Sequence, residues 1–350
     1  MFSKAISRNS FLSMDRSLSN IIVMVVLAWT TTNAQNKTKM AEQQKSNQEG
    51  FSNLVEIKQI NAGDLNIGYK EMGPHNGKPV ILLHGWPYDI HSYIEVAPIL
   101  AAKGYRVLIP YLRGFGTTKF LSEKTIRNGQ QSVFAVDIIA FMDALKIEKA
   151  IIGGFDWGAR TALIMAALWP ERCKGIVSVS GYIIINLEKN QNPLTPNEEY
   201  AWWYQYYFST QRGKEGYSMN TYEFNKLIWK LASPKWNFDE QTYAQTATSY
   251  NNPDHVEIVI HNYRWRLLLE KGETKYRDLE NKLAKRPVIN VPAITIGSDF
   301  DGKASNGNSY RDQFTGKYSH KIFNEIGHNV PQEAPVKFAD AIMEVDSYSK

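Results

Sequence analysis

The chain has 350 residues, 43% hydrophobic and 21% charged, which allows a sizeable core and excludes a disordered or fibrous protein. Its formal net charge is +5, shared with Lys4, Arg8 and Arg16 near the start. No block of Lys or Arg with interleaved aromatics follows, which argues against a nucleic-acid partner, and the single Cys173 excludes an intrachain disulfide.

In chain order, residues 1–34 read as a secretory signal peptide. A mildly basic stretch precedes the apolar run Ile21–Trp29, which is too short to span a bilayer comfortably, and small polar residues follow up to Ala34. The expectation is export to the periplasm or beyond, with no stable membrane insertion once the leader is removed. Residues 35–50, rich in Gln, Asn, Lys and Glu, read as a linker. Residues 51–182 form the first part of a core. Val55–Ile60 and Leu65–Glu71 suggest a hairpin, Pro79–Leu83 a strand buried on both faces, and Ile90–Lys103 a helix stopped by Gly104. Strand Arg106–Pro110, helix Gln131–Leu145, strand Lys149–Gly153, helix Ala159–Leu168 and strand Gly175–Val179 continue the alternation. Cys173 is expected as a packed thiol near the end of the helix that stops at Trp169-Pro170. The alternation lapses over residues 183–285, a stretch rich in Trp and Tyr that suggests a helical insertion. It resumes in residues 286–350 with strands Val291–Ile296 and Ser319–Asn324 and a helix from Glu333 to about Val345. The fold class is therefore α/β, a mostly parallel sheet flanked by helices and interrupted by a helical cap.

Gly154-Phe155-Asp156-Trp157-Gly158 joins a strand to a helix with the spacing small-x-nucleophile-x-small. Its central residue is a carboxylate, which attacks saturated carbon to give an alkyl ester of the enzyme, whereas a serine would form acyl esters. The helix behind Asp156 favours its negative charge; an ordinary N-cap aspartate is the plainer alternative. Two donors are expected to face the ester oxygen: the N–H of Trp157, and that of Trp86 in the His84-Gly85-Trp86-Pro87 loop. His328, between the last strand and the last helix, is the candidate base. Its orienting acid is expected after the Val291–Ile296 strand, where Asp299 and Asp301 offer two carboxylates. No Cys/His metal spacing occurs, and the scheme calls for no metal or organic cofactor.

His-Gly-Trp-Pro at 84–87, Tyr-Leu-Arg-Gly-Phe-Gly at 111–116, Asp-Trp-Gly at 156–158 and Gly-His-Asn-Val-Pro at 327–331 resemble the α/β-hydrolase family, in its epoxide hydrolase and dehalogenase branch. The likeness runs from about residue 52 to 346. It implies two cap tyrosines that hold an epoxide oxygen. Tyr204, in Tyr-Gln-Tyr-Tyr-Phe, is the first candidate, with Tyr206 and Tyr207 as alternatives; Tyr263, before Arg264, is the second. The resemblance implies opening of a small apolar epoxide by water. The family pattern, a small residue, two others and then the acid, implies Asp301 as the orienting acid with Asp299 in reserve. Dehalogenation by the same Asp156, His328 and Asp301 is the rival activity. Gln205-Tyr206 replaces the His-Trp pair of fluoroacetate dehalogenases, and Trp86 stands where haloalkane dehalogenases usually carry a halide-gripping Asn. A non-catalytic ligand-binding protein of the same fold is the third alternative.

Overall fold

Short runs of Ile, Val and Leu, buried on both faces, build the centre of one nine-stranded sheet. The strands are β1 (Lys58–Ala62), β2 (Leu65–Met72), β3 (Lys78–Leu83), β4 (Tyr105–Pro110), β5 (Lys119–Phe120), β6 (Ala150–Gly154), β7 (Cys173–Val179), β8 (Ala293–Ser298) and β9 (Tyr318–Phe323). The computed structural model describes residues 56–348, so the expected signal peptide and linker lie outside the described residues.

The strands lie in the order β1-β2-β4-β3-β6-β7-β8-β9. β1 and β2 form the expected antiparallel hairpin, and β2 pairs antiparallel with β4. From β4 across to β9 every neighbour is parallel. The two-residue β5, too short to leave a pattern in the sequence, adds to β2. Helices α1 (Val96–Ala102), α2 (Gln131–Ala144) and α3 (Trp157–Leu168) connect the early strands.

Between β7 and β8 the chain is helical: α4 (Pro196–Ala201), α5 (Trp203–Ser209), α6 (Gln211–Met219), α7 (Thr221–Ala232), α8 (Glu240–Ala247), α9 (His255–Arg266) and α10 (Arg277–Ala284). A short α11 (Val330–Glu333) and the longer α12 (Pro335–Ser347) close the fold, and α12 packs on both α1 and β7.

Three local expectations are corrected. The segment from Ile90 to Lys103 is a 3-10 turn followed by α1, because one continuous helix would place Pro98 in its interior, whereas the break leaves Pro98 in a first turn. The last helix starts at Pro335 and not at Glu333, because the residue before a proline is steered away from the helical region and Ala334 takes φ −141° and ψ 58°. Cys173 opens strand β7; Pro170–Arg172 makes only a single 3-10 turn before it. Burial pushes the Cys173 thiol up to about 12, so it packs as an unreactive group.

The Tyr111–Gly116 segment after β4 is tied to α2 by a buried fork. Arg113 Nε and Nη2 donate to the two oxygens of Asp137 at 2.6 and 2.7 Å, and Nη1 donates to the Asn128 carbonyl at 2.8 Å. Arg113→Met strands a buried carboxylate and is expected to cost about 3–5 kcal/mol in urea unfolding. The double change Arg113→Met with Asp137→Leu should recover most of that loss. A single variant as stable as the wild type contradicts the assignment.

Candidate active site

The carboxyl ends of β3, β6, β8 and β9 each lead into a loop that carries one expected site residue, as ligand sites in parallel sheets require. Asp156 follows β6 with φ 51° and ψ −124°, a conformation that costs a non-glycine residue on the order of 1–3 kcal/mol. The turn closes because two neighbours lack side chains. A Cβ on Gly158 would lie 1.9 Å from the Leu83 carbonyl oxygen, and one on Gly85 would lie 2.3 Å from the Asp156 Cβ. The loop after β3 therefore reaches the carboxylate directly.

That approach gives the two carboxylate oxygens different surroundings. The Trp86 N–H donates to Oδ1 at 2.8 Å. Oδ2 lies 3.5 Å from His328 Nε2. Burial opposes ionisation of Asp156, but His328, Arg160 and the Trp157 N–H outweigh it and hold the carboxyl below its ordinary range. His84 braces the loop. Its Nδ1 donates to the Gly85 carbonyl at 3.0 Å and its Nε2 accepts from the Leu112 N–H at 3.1 Å. Burial lowers His84 to about 4, so it stays neutral.

His328 lies against Phe300, with ring centroids 4.1 Å apart. Its Nδ1 is buried and has no hydrogen-bond partner among the described residues. Asp299 is exposed and paired with Lys235 at 2.8 Å. Asp301 is the less exposed of the two acids, and burial pushes its carboxyl above the ordinary range, opposed by Ser180 and the Ser298 N–H first and by the His328 charge after them. Asp301 Oδ2 accepts from the Ser298 N–H at 2.8 Å; no direct bond joins Asp301 to His328 among the described residues. The electrostatic link to His328 sets Asp301 apart from Asp299.

Tyr204 and Tyr263 are both buried and meet edge to face at 5.4 Å between centroids, and each ring also lies 5.2 Å from that of Trp86. Burial raises both hydroxyls, and the charge of Asp156 adds to the rise in each. Tyr206 is exposed and donates to Glu199, and Tyr207 stacks on Phe224. Of the three tyrosines in that stretch, Tyr204 is the one beside Asp156.

Several residues escaped the sequence reading. Ser233, from the insertion, accepts from the His328 N–H at 2.9 Å and donates to Glu333 at 2.7 Å; Glu333 also accepts from the Gly327 and Asn329 N–H groups. The Trp86 indole donates to the Tyr217 hydroxyl at 2.9 Å, which lies 2.8 Å from His255 Nε2. Arg160 and Arg266 line a cavity of about 860 Å³ with Asp156 and His328. Helical spacing was the available signal for both arginines: Arg160 is four residues after Asp156, and Arg266 three after Tyr263. A second cavity of about 340 Å³, lined by Trp203, Tyr204, Ile228 and Leu231, also borders Asp156 and His328.

Residues 78–222 match the family model described as the alpha/beta hydrolase fold. A crystal structure from Klebsiella pneumoniae subsp. pneumoniae MGH 78578, provisionally described as an epoxide hydrolase, shares 55% identity with a TM-score of 0.83, over 86% of this chain and 99% of that one. Epoxide hydrolase B of Mycobacterium tuberculosis is 35% identical over 150 residues, 39% of this chain and 41% of its own length. A haloalkane dehalogenase of Psychrobacter cryohalolentis is 33% identical over 109 residues, 31% of this chain and 35% of its own length. The chain thus spans well under half the length of these curated relatives.

Because the folded state holds Asp156 below its unfolded value, the stabilisation from its charge is complete above about pH 4 and is lost as pH falls through the lowered value. Asp156→Asn carries no such dependence. The stability of the wild type minus that of Asp156→Asn should therefore shrink between pH 5 and pH 3 in urea titrations. A gap that widens on acidification contradicts the lowered value.

Proposed function

The chain belongs to the α/β-hydrolase family, and from that premise we propose that it opens epoxides to diols through a covalent ester on Asp156. One observation carries the reading. A single carboxylate has one oxygen on the Trp86 N–H and the other beside His328, with Tyr204 and Tyr263 buried next to it.

Oδ2 attacks an epoxide carbon in line, and the breaking C–O bond leaves its electron pair on the epoxide oxygen. The Tyr204 and Tyr263 hydroxyls bind that oxygen, and one of them delivers the proton that makes it an alcohol. In the ester that results, Oδ1 is the carbonyl oxygen, already on its donor. His328 Nε2 then takes a proton from water as the water oxygen adds to the Asp156 carboxyl carbon. The oxyanion forms on Oδ1 and meets the Trp86 and Trp157 N–H groups. Collapse breaks the bond between the carboxyl carbon and Oδ2 and expels the diol oxygen, which takes the proton back from His328; the proton of the regenerated Asp156 carboxyl restores the tyrosine hydroxyl, and Asp156 keeps one oxygen from water. Asp301 stabilises the imidazolium. The enclosing helices act as a cap, and the leader directs export.

Asp156→Asn should abolish turnover, and His328→Gln should trap an ester seen as a mass increase on the Asp156 peptide. A single turnover in labelled water that puts no label into Asp156 would falsify the covalent route. Asp301→Asn should slow release of the ester more than its formation in rapid-quench measurements.

Halide displacement is the second reading, favoured by the Trp157 indole N–H, which is buried without a partner among the described residues. Halide leaves without a proton. Tyr204→Phe and Tyr263→Phe should each cut epoxide opening by roughly 10-fold or more, while any alkyl halide turnover survives. Equal loss on both substrates contradicts the tyrosine assignment.

A further inference from the structure

The reacting carboxylate lies where two chemically different cavities meet. Asp156, Trp202, Phe300 and His328 border both. The smaller is walled by Trp203, Tyr204, Ile228 and Leu231. The larger carries Arg160 and Arg266, with Ser180, Asn197 and Ser309 around them. An apolar epoxide in the first cavity would leave the two guanidiniums of the second without a partner in the substrate.

Each arginine is fixed to a group assigned to the reaction. Arg160 is 7% exposed and lies one turn along α3 from Asp156, its N–H donating to the Asp156 carbonyl at 3.0 Å. Its Nε donates to the Ile183 carbonyl at 3.2 Å, which uses the inner nitrogen of the guanidinium. Arg266 lies one turn along α9 from Tyr263. Its guanidinium sits 5.5 Å from the Tyr263 ring centroid and 6.0 Å from that of Trp202, and its Nε is buried with no hydrogen-bond partner among the described residues. Burial and the neighbouring Arg266 lower Arg160 to about 10, so the two cations repel each other across this cavity. The acids on the same wall have other duties. Glu198 Oε2 caps its own helix through the Thr195 N–H and hydroxyl, Asp301 binds the Ser298 N–H, and Asp156 holds the Trp86 N–H.

Resting on the epoxide reading above, we propose that the substrate is an epoxide bearing a carboxylate. The carboxylate is held by Arg160 and Arg266, and an apolar substituent on the far side of the ring fills the smaller cavity. The carboxylate suits the site because planar guanidiniums match its two oxygens, and two such cations brought together need an anion between them. The spacing limits the reach. One helical turn is about 5.4 Å, so the carboxylate is attached at the ring or within a few bonds of it. The ring-opening step is unchanged: Oδ2 forms the new C–O bond, the epoxide oxygen takes the electron pair and a tyrosine proton, and the carboxylate stays on the product diol.

The test compares 3-phenyloxirane-2-carboxylate with its primary amide, a neutral compound of nearly the same shape. In the full-length wild type the acid should exceed the amide at least about 10-fold in kcat/KM, and Arg160→Gln and Arg266→Gln should each reduce that ratio about 10-fold. An amide as good as the acid in the wild type, or a ratio that neither variant changes, overturns the proposal. The wild-type comparison decides even if the buried Arg160 variant does not fold. Calorimetric binding of unreactive 3-phenylpropanoate separates the two readings. Binding that weakens in Arg266→Gln, in a protein that opens no epoxide, supports the anion subsite and sinks the epoxide activity. Epoxide turnover with no preference for the acid does the reverse.

Discussion

The contact on which the site depends is the hydrogen bond from the Trp86 N–H to Asp156 Oδ1. It exists because two strands, β3 and β6, run parallel and adjacent, so their carboxyl ends deliver a backbone donor and a side-chain acceptor to the same point. It is short because Gly85 and Gly158 have no Cβ to hold the loops apart. The strain at Asp156 is tolerated because the parallel pairing and the helix behind it leave the turn no other path. One carboxylate thereby acquires an oxygen held by a backbone N–H and another beside His328, which symmetric solvation in water would never give it.

The helical insertion is more than a cover. Trp229 Nε1 and the Tyr250 hydroxyl both donate to the Pro87 carbonyl, at 2.7 and 2.6 Å, so two insertion residues grip the loop that presents Trp86. Ser233 holds the backbone of His328. The Trp86 loop and His328 are both positioned by the segment that also carries Tyr204 and Tyr263. Folding of the insertion and assembly of the site are therefore linked, and a loss of packing in the insertion reaches His328 through Ser233.

The electrostatics follow from burial. Asp156 is enclosed, yet its neighbours His328 and Arg160 and the N–H groups of Trp86 and Trp157 keep it charged. The same enclosure raises Tyr204 and Tyr263, which keeps them protonated beside a carboxylate and able to donate. Neutral donors next to a fixed anion suit a reaction in which charge moves from the carboxylate to an oxygen nearby. Arg160 and Arg266 extend the polar surroundings of Asp156 along the larger cavity.

Much of the architecture was legible in the sequence, since its cues are local. Apolar runs marked the buried strands, the small residues at 154 and 158 marked the turn at Asp156, and the lapse in alternation after Val179 marked the helical stretch. Pro98 and Pro335 also carried local information about where helices begin, and the two-residue β5 carried almost none. What the sequence by itself determined was the α/β fold and the place of Asp156 at the turn between β6 and α3, because a strand-to-helix turn is specified by residues next to one another. Only the tertiary structure decided how Asp301 differs from Asp299, which tyrosine of the 204–207 stretch faces Asp156, and that Ser233, Glu333, Arg160 and Arg266 surround the site. Those choices depend on contacts between segments tens to hundreds of residues apart, and burial and charge at such contacts exist only after the chain has folded.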